Sequence, residues 1–152
     1  MYKFFITLFF LLFSNSVVAN DLVKPTPNIP PMQVVEVQLF ALQSNNSEND
    51  FGILQTWEFA HPRNKMVTGP IDRFANMMRT PAYNLLLNNK EFETQEIFNN
   101  GNNAGIAVRI EATDNKAYGY MWSLEKVKES GPLFGSWMTT GVSGPKLLAE
   151  GS

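Results

Sequence analysis

The sequence predicts an α+β domain in which N-terminal helices are packed on a four-stranded antiparallel meander. Apolar residues recur at helical spacing from Pro31 to Leu87, and after Asn89 the period drops to two and stays there. The period-two segments are joined by turn-rich pieces such as "NNGNN" and "DN", which have hairpin length. Helices gathered ahead of strands argue for a sheet covered on one face, because a parallel sheet would need helices interleaved between strands.

Ahead of the domain, Lys3 precedes the apolar run Phe4 to Phe13, and "SNSVVAN" follows it. The run is shorter than the roughly 18 to 20 residues of a spanning helix, and Val17 and Ala19 are small enough for a cleavage site. Residues 1–19 therefore read as a cleaved signal peptide, and the mature protein is expected to be exported, either periplasmic or secreted. No second apolar run is long enough to insert into a membrane. Removing 19 of the 152 residues leaves 133, the size of one domain. The remaining 11 basic and 14 acidic residues alternate without forming blocks. Nucleic acid is excluded as a partner, since binding it needs a basic patch that displaces counterions. With no cysteine in the chain, a disulfide framework, thiol catalysis and cysteine-ligated metals are excluded as well.

Residues 20–31, "NDLVKPTPNIPP", carry four prolines and no apolar period, and read as an extended leader. The single α+β domain is expected over residues 32–145, with 146–152 as a C-terminal tail. Pro31 suits the first turn of a helix with Val34, Val35, Val37, Leu39, Ala41 and Leu42 on a broad apolar face. Ser47, Asn49 and Asp50 are N-cap candidates for a second helix through Leu54 and Trp57, ended by Pro62 with His61 at its negative end. A loop then runs to Gly69. Pro70 and Asp72 start a third helix with Ile71, Phe74, Met77 and Met78 on one side, Pro81 breaks it, and "AYNLLL" forms a short fourth piece. The strands follow: "EFETQEIF", with Phe92 and Phe98 on one face; "GIAVRIEA", alternating Ile106, Val108 and Ile110 with Ala107, Arg109 and Glu111; "AYGYMWSLEKV"; and "SWMTTGV".

The loop "HPRNKMVTGP" is the first functional candidate, because it gathers His61, Arg63, Asn64, Lys65 and Thr68 in a connecting segment. Each of its conspicuous residues also has a structural use at a helix end. The aromatic row Tyr118, Tyr120 and Trp122, with Trp137 on the neighbouring strand, is the second: it reads as core beneath the helices, or as the lining of an apolar pocket. Glu58 and Asp72 flank the loop and are the carboxylates placed to orient His61 or pair with Arg63 or Arg73. A lone histidine supplies neither a metal site nor a triad, and the chain has no phosphate loop, dinucleotide fingerprint, zinc-protease helix or nucleophile elbow. No metal or cofactor is expected.

The early run Val35, Gln38, Leu39, Ala41, Leu42, then Phe59, Ala60, His61, Pro62, Asn64, Thr68, Gly69, Pro70, then Arg73, Phe74, Met77, Pro81 and Tyr83, resembles an uncharacterised domain family of bacteria and plants. Its mark is a phrase like F-A-S-P-x-N-x-x-T-G-P, and the likeness covers about residues 33 to 145. This chain has His61 where the phrase has serine, so a chemistry common to the family would not rest on this histidine. The element order is also similar to the α+β cone of the ketosteroid-isomerase-like and nuclear-transport-factor-like superfamily. That likeness implies a curled, cone-like sheet enclosing a pocket, in a superfamily of enzymes, ligand binders and dimerisation modules alike.

Three functional expectations result. The leading one is non-enzymatic binding of a small apolar or amphipathic ligand, or of a protein partner, through the pocket or the outer sheet face. Its pocket residues would be His61, Arg63, Asn64, Thr68, Arg73, Tyr83, Tyr118, Tyr120, Trp122 and Trp137. The second is an isomerase- or cyclase-like enzyme with Asp72 or Glu58 as a base of raised pKa and Tyr83 or Tyr118 as donor. The third is a homodimeric module whose outer sheet face, around Ala107, Arg109 and Glu111, is covered by a second copy.

Overall fold

In the computed structural model, which describes residues 21–149, Pro31 opens the first helix, α1 (Pro31–Gln43). The predicted signal peptide lies outside the described residues. Proline is favoured at the first helical position because its fixed φ is already helical and its missing N–H would have no partner there. Val34, Val35, Gln38, Leu39 and Leu42 form the buried face of α1. The leader ahead of it has no regular element, yet it is docked and not a free extended arm. Val23 exchanges two hydrogen bonds with the Gln55 side chain, at 2.7 and 2.9 Å, and Pro25 is buried.

The second helix, α2 (Phe51–Glu58), packs along α1. Asp50 stands at its N-cap position without capping: its φ is 52°, and its carboxylate accepts from Arg79 at 2.6 Å. Asn49 Oδ1 accepts from Phe51 N–H at 3.0 Å and Asn45 Oδ1 from Ile53 N–H at 3.2 Å, so these amides satisfy the helix start. The segment expected to be a loop after Pro62 is a helix, α3 (Pro62–Thr68), with Pro62 in its first turn. His61 therefore sits at the positive end of α3 and not at the negative end of α2, which closes at Phe59. The fourth helix, α4 (Ile71–Met78), begins just after Pro70, and a single 3₁₀ turn at Asn84–Leu86 is the short piece expected after Pro81.

The sheet is an antiparallel meander of β1 (Glu91–Asn99), β2 (Asn103–Glu111), β3 (Ala117–Lys126) and β4 (Trp137–Val142), in that order. A fifth strand, β5 (Lys146–Ala149), corrects the reading of residues 146–152 as a tail. It pairs with the first half of β3 while β4 pairs with the second half. The fourth ribbon of the meander is thus broken at Ser143-Gly144-Pro145, where proline lacks the N–H of a continuous ladder.

Two bulges decide which residues face the helices. Glu96 pairs with Ile106 and Phe98 with Gly105, leaving Ile97 as an extra residue. Phe98 is thereby turned to the outer face, away from Phe92, which corrects the expectation that the two share a face. In the same way Leu124 pairs with Thr139 and Trp122 with Val142, so the extra residue in β4 keeps both Thr139 and Val142 on the helix side. One core joins Val34, Val35, Leu39 and Leu42 of α1 to Ile106, Val108 and Ile110 of β2 and to Tyr120, Trp122 and Leu124 of β3. Each such fully buried apolar side chain contributes about 1.5–3 kcal/mol relative to exposure.

Candidate functional site

Gln38 is a glutamine on the buried face of α1, 1% exposed, and it ties three elements together. Its Oε1 accepts from Trp122 Nε1 at 3.0 Å and from the Thr139 hydroxyl at 2.8 Å, and its Nε2 donates to the Thr56 carbonyl at 3.0 Å. The indole can only donate and the carbonyl can only accept, so the orientation of the amide follows from its partners. A second link fixes the helical layer on β4. Thr139 N–H donates to Phe59 O and His61 N–H donates to Thr139 O, each at 2.8 Å. Asn64 Nδ2 adds a bond to the same Thr139 carbonyl at 3.3 Å.

Beside this knot, between α1, α3, α4 and strands β3 and β4, lies a cavity of about 130 Å³. Leu42, Phe74, Met77, Met78, Leu86 and Val142 make its apolar surface. Gln38, Thr56, Asn64, Thr68, Tyr83 and Thr139 supply its polar groups. The β4 bulge is what brings Thr139 and Val142 to the same cavity. Among the described residues that line it there is no aspartate, glutamate, lysine, arginine or histidine.

Of the predicted pocket residues, Asn64, Thr68, Tyr83 and Trp122 are brought together here. The others are not. His61 is buried at 1% exposure, with Nδ1 accepting from Arg63 N–H at 3.2 Å, and burial first and Arg63 second push its imidazole below the ordinary value. Arg63 is exposed and paired with Glu125, and Arg73 is exposed on α4. Tyr120 and Trp137 are core residues. Tyr120 donates to Ala82 O at 3.4 Å, and burial, with Tyr118 and Tyr83 adding to it, raises its phenol well above the usual range. Tyr118 donates to Asp114 at 2.6 Å, outside the cavity. Asp72 is exposed, and Glu58 pairs with Lys24 at 3.0 Å, so neither carboxylate lines the cavity. Sequence reasoning missed Gln38, Thr56 and Thr139 as site residues. The available signal was Gln38 itself, a polar side chain in register with the apolar face of α1.

Gly69, at the end of α3, is extended (φ −81°, ψ 173°), so its glycine is not explained by a left-handed backbone. Space explains it: a Cβ there would stand 2.6 Å from Lys65 O and 2.8 Å from Trp57 Cη2.

No group of three or more His, Asp or Glu side chains among the described residues is placed to hold a metal ion. No protein-family model, curated protein or solved structure matches the chain.

Proposed function

We propose that this is an exported, non-enzymatic binding domain that holds a small amphipathic molecule in the cavity between its helices and the β3–β4 edge. The observation that carries the reading is the lining, an apolar surface with a few convergent polar groups and no charged side chain. A cavity near 130 Å³ accepts a body about the size of benzene, roughly six to nine non-hydrogen atoms. Met77 and Met78 adapt such a wall to ligands of differing outline, since the thioether chain is unbranched and polarizable. A base held in the cavity, as the isomerase-like alternative requires, has no candidate in the lining, because Asp72 and Glu58 stand elsewhere.

Native mass spectrometry of the mature protein, recovered undenatured from the exporting cell, tests this reading. The expected result is a bound molecule of low mass that is lost in a Thr68→Leu variant, which narrows the cavity. A wild-type protein that is empty, and that takes up no small amphiphile at millimolar concentration, would refute it.

A second reading has its own observation. The outer sheet face carries Phe98 at 53%, Leu148 at 50% and Met121 at 39% exposure, a row of apolar side chains no helix covers. Glu93 and Arg109 are register partners on that face, yet they form no ion pair among the described residues. A second copy related by a two-fold axis would supply each with an opposite charge. This homodimer is compatible with a ligand on the helix side of the sheet.

A further inference from the structure

The hydrogen bonds already made around the cavity restrict what its occupant can be. Resting on the ligand-binding reading above, we infer that the ligand is an uncharged hydroxyl compound, a small phenol or alcohol with an apolar body, and neither a carboxylate nor a purely apolar molecule.

Every hydroxyl proton in the lining is committed to the protein. Thr56 donates to Gly52 O at 2.8 Å, Thr68 to Asn64 O at 2.8 Å, Thr139 to Gln38 Oε1 at 2.8 Å and Tyr83 to Val142 O at 3.2 Å. Three of these acceptors are backbone carbonyls, and Gln38 Oε1 is fixed as an acceptor by the Trp122 indole, so in each bond the hydroxyl is the donor, and turning it to a guest would break that bond. With those bonds kept, their oxygens have only acceptor capacity for a guest.

The two amides divide the remainder. Asn64 spends one Nδ2 proton on Thr139 O, and its Oδ1 accepts from no group among the described residues. Gln38 spends one Nε2 proton on Thr56 O, and its Oε1 already accepts twice. What the cavity offers is therefore a surplus of acceptor oxygens and a small number of amide N–H groups.

Ligand classes sort themselves against that inventory. An anion needs several donors and finds too few, with no cation in the lining to offset its lost hydration. An ammonium would find acceptors but no counter-charge, so it too would be desolvated without compensation. An ether or ketone has nothing to donate to the surplus. A hydrocarbon leaves polar groups facing an apolar body, which forfeits their solvation. A neutral hydroxyl donates once to an acceptor oxygen and accepts once from an amide N–H, with its apolar body against Leu42, Phe74 and Met78.

The test is a matched set of probes on the intact mature protein: p-cresol, anisole, toluene and benzoate. Binding is followed by titration calorimetry and by the indole N–H resonance of Trp122, whose proton is held inside the site. The expected result is that p-cresol binds about tenfold more tightly than anisole or toluene, the worth of one net hydrogen bond, and that benzoate does not bind. Toluene or anisole binding as well as p-cresol, or benzoate binding best, would overturn the hydroxyl assignment while leaving the cavity a ligand site. Failure of all four to bind or to move the Trp122 signal would overturn both.

Discussion

Gln38 occupies a position where an aliphatic residue would ordinarily complete the face of α1. The cost of removing it is set by what it leaves behind. In Gln38→Leu the Trp122 indole N–H and the Thr139 hydroxyl lose their shared acceptor inside the core, and a buried donor without a partner costs about 1–3 kcal/mol. A loss of about 3 kcal/mol is expected from urea unfolding, and Thr139→Val in the same background should return part of it by removing one stranded donor. His61 carries a different signature. Its imidazole is held below the ordinary 6.5 by burial and then by Arg63, with Glu125 and Glu129 opposing. In the window below 6.5 the unfolded chain binds more protons than the folded one, so stability is held above that pH and falls as the pH drops through the window. Glu125, drawn down by Lys128 and Arg63, adds its own loss only below its ordinary 4.5. Urea midpoints between pH 7.5 and 5 therefore isolate His61. The His61→Ser variant, which keeps an N-cap oxygen for Arg63, should show a flatter profile there; an unchanged profile would assign the pH dependence to another group.

At the scale of elements, Gly52 separates local preference from packing. Helix propensity alone predicts that Gly52→Ala would stabilise α2 by about 1 kcal/mol. The structure reverses the sign, because the new Cβ would stand 2.2 Å from Ala41 O and 2.8 Å from Ala41 C, which are backbone atoms of α1. The helices must separate, and a loss of about 1–3 kcal/mol is expected in thermal or urea unfolding. No change at Ala41 will rescue it, since its side chain is not the obstacle. The same separation explains which elements were legible. α1, α4 and the four main strands carry their own apolar period and were read close to their observed bounds. α3 was read as a loop because its apolar residues, Met66 and Val67, point outward at 83% and 69% exposure, so no buried face announces the helix. Pro62 and the His61 cap make it, whereas the sequence alone presents Pro62 as the stop of α2 and His61 as a residue at its negative end. β5 and the two bulges are set by the strands they pair with, and no pattern within their own segments encodes those.

For the whole molecule, the α+β arrangement was legible because helices and strands occupy separate halves of the chain, while the cavity was only half legible. Asn64, Thr68, Tyr83 and Trp122 stood out as polar or aromatic residues, but Thr139 joins them only through the β4 bulge, and Gln38 only through α1 crossing the sheet. The outer face remains to be accounted for. Phe98 lies over Gly105 and Leu148 over Gly119, so these exposed side chains lie close against the small residues of β2 and β3 and present an apolar surface to an opposing sheet. Stable pairing needs about 800 Å² from each copy. The expected outcome is a sedimenting mass of two chains for the wild type. Arg109→Glu sets like charge against Glu93 of the opposing copy and should give one chain, at a cost of about 0.2–1 kcal/mol in unfolding stability because Glu93 is also its register partner within the chain. Met121→Glu should do the same by placing a charge on the apolar row. A wild type that sediments as one chain, or an Arg109→Glu variant that stays at two, would remove the outer face from the assembly and leave the cavity as the surface that acts.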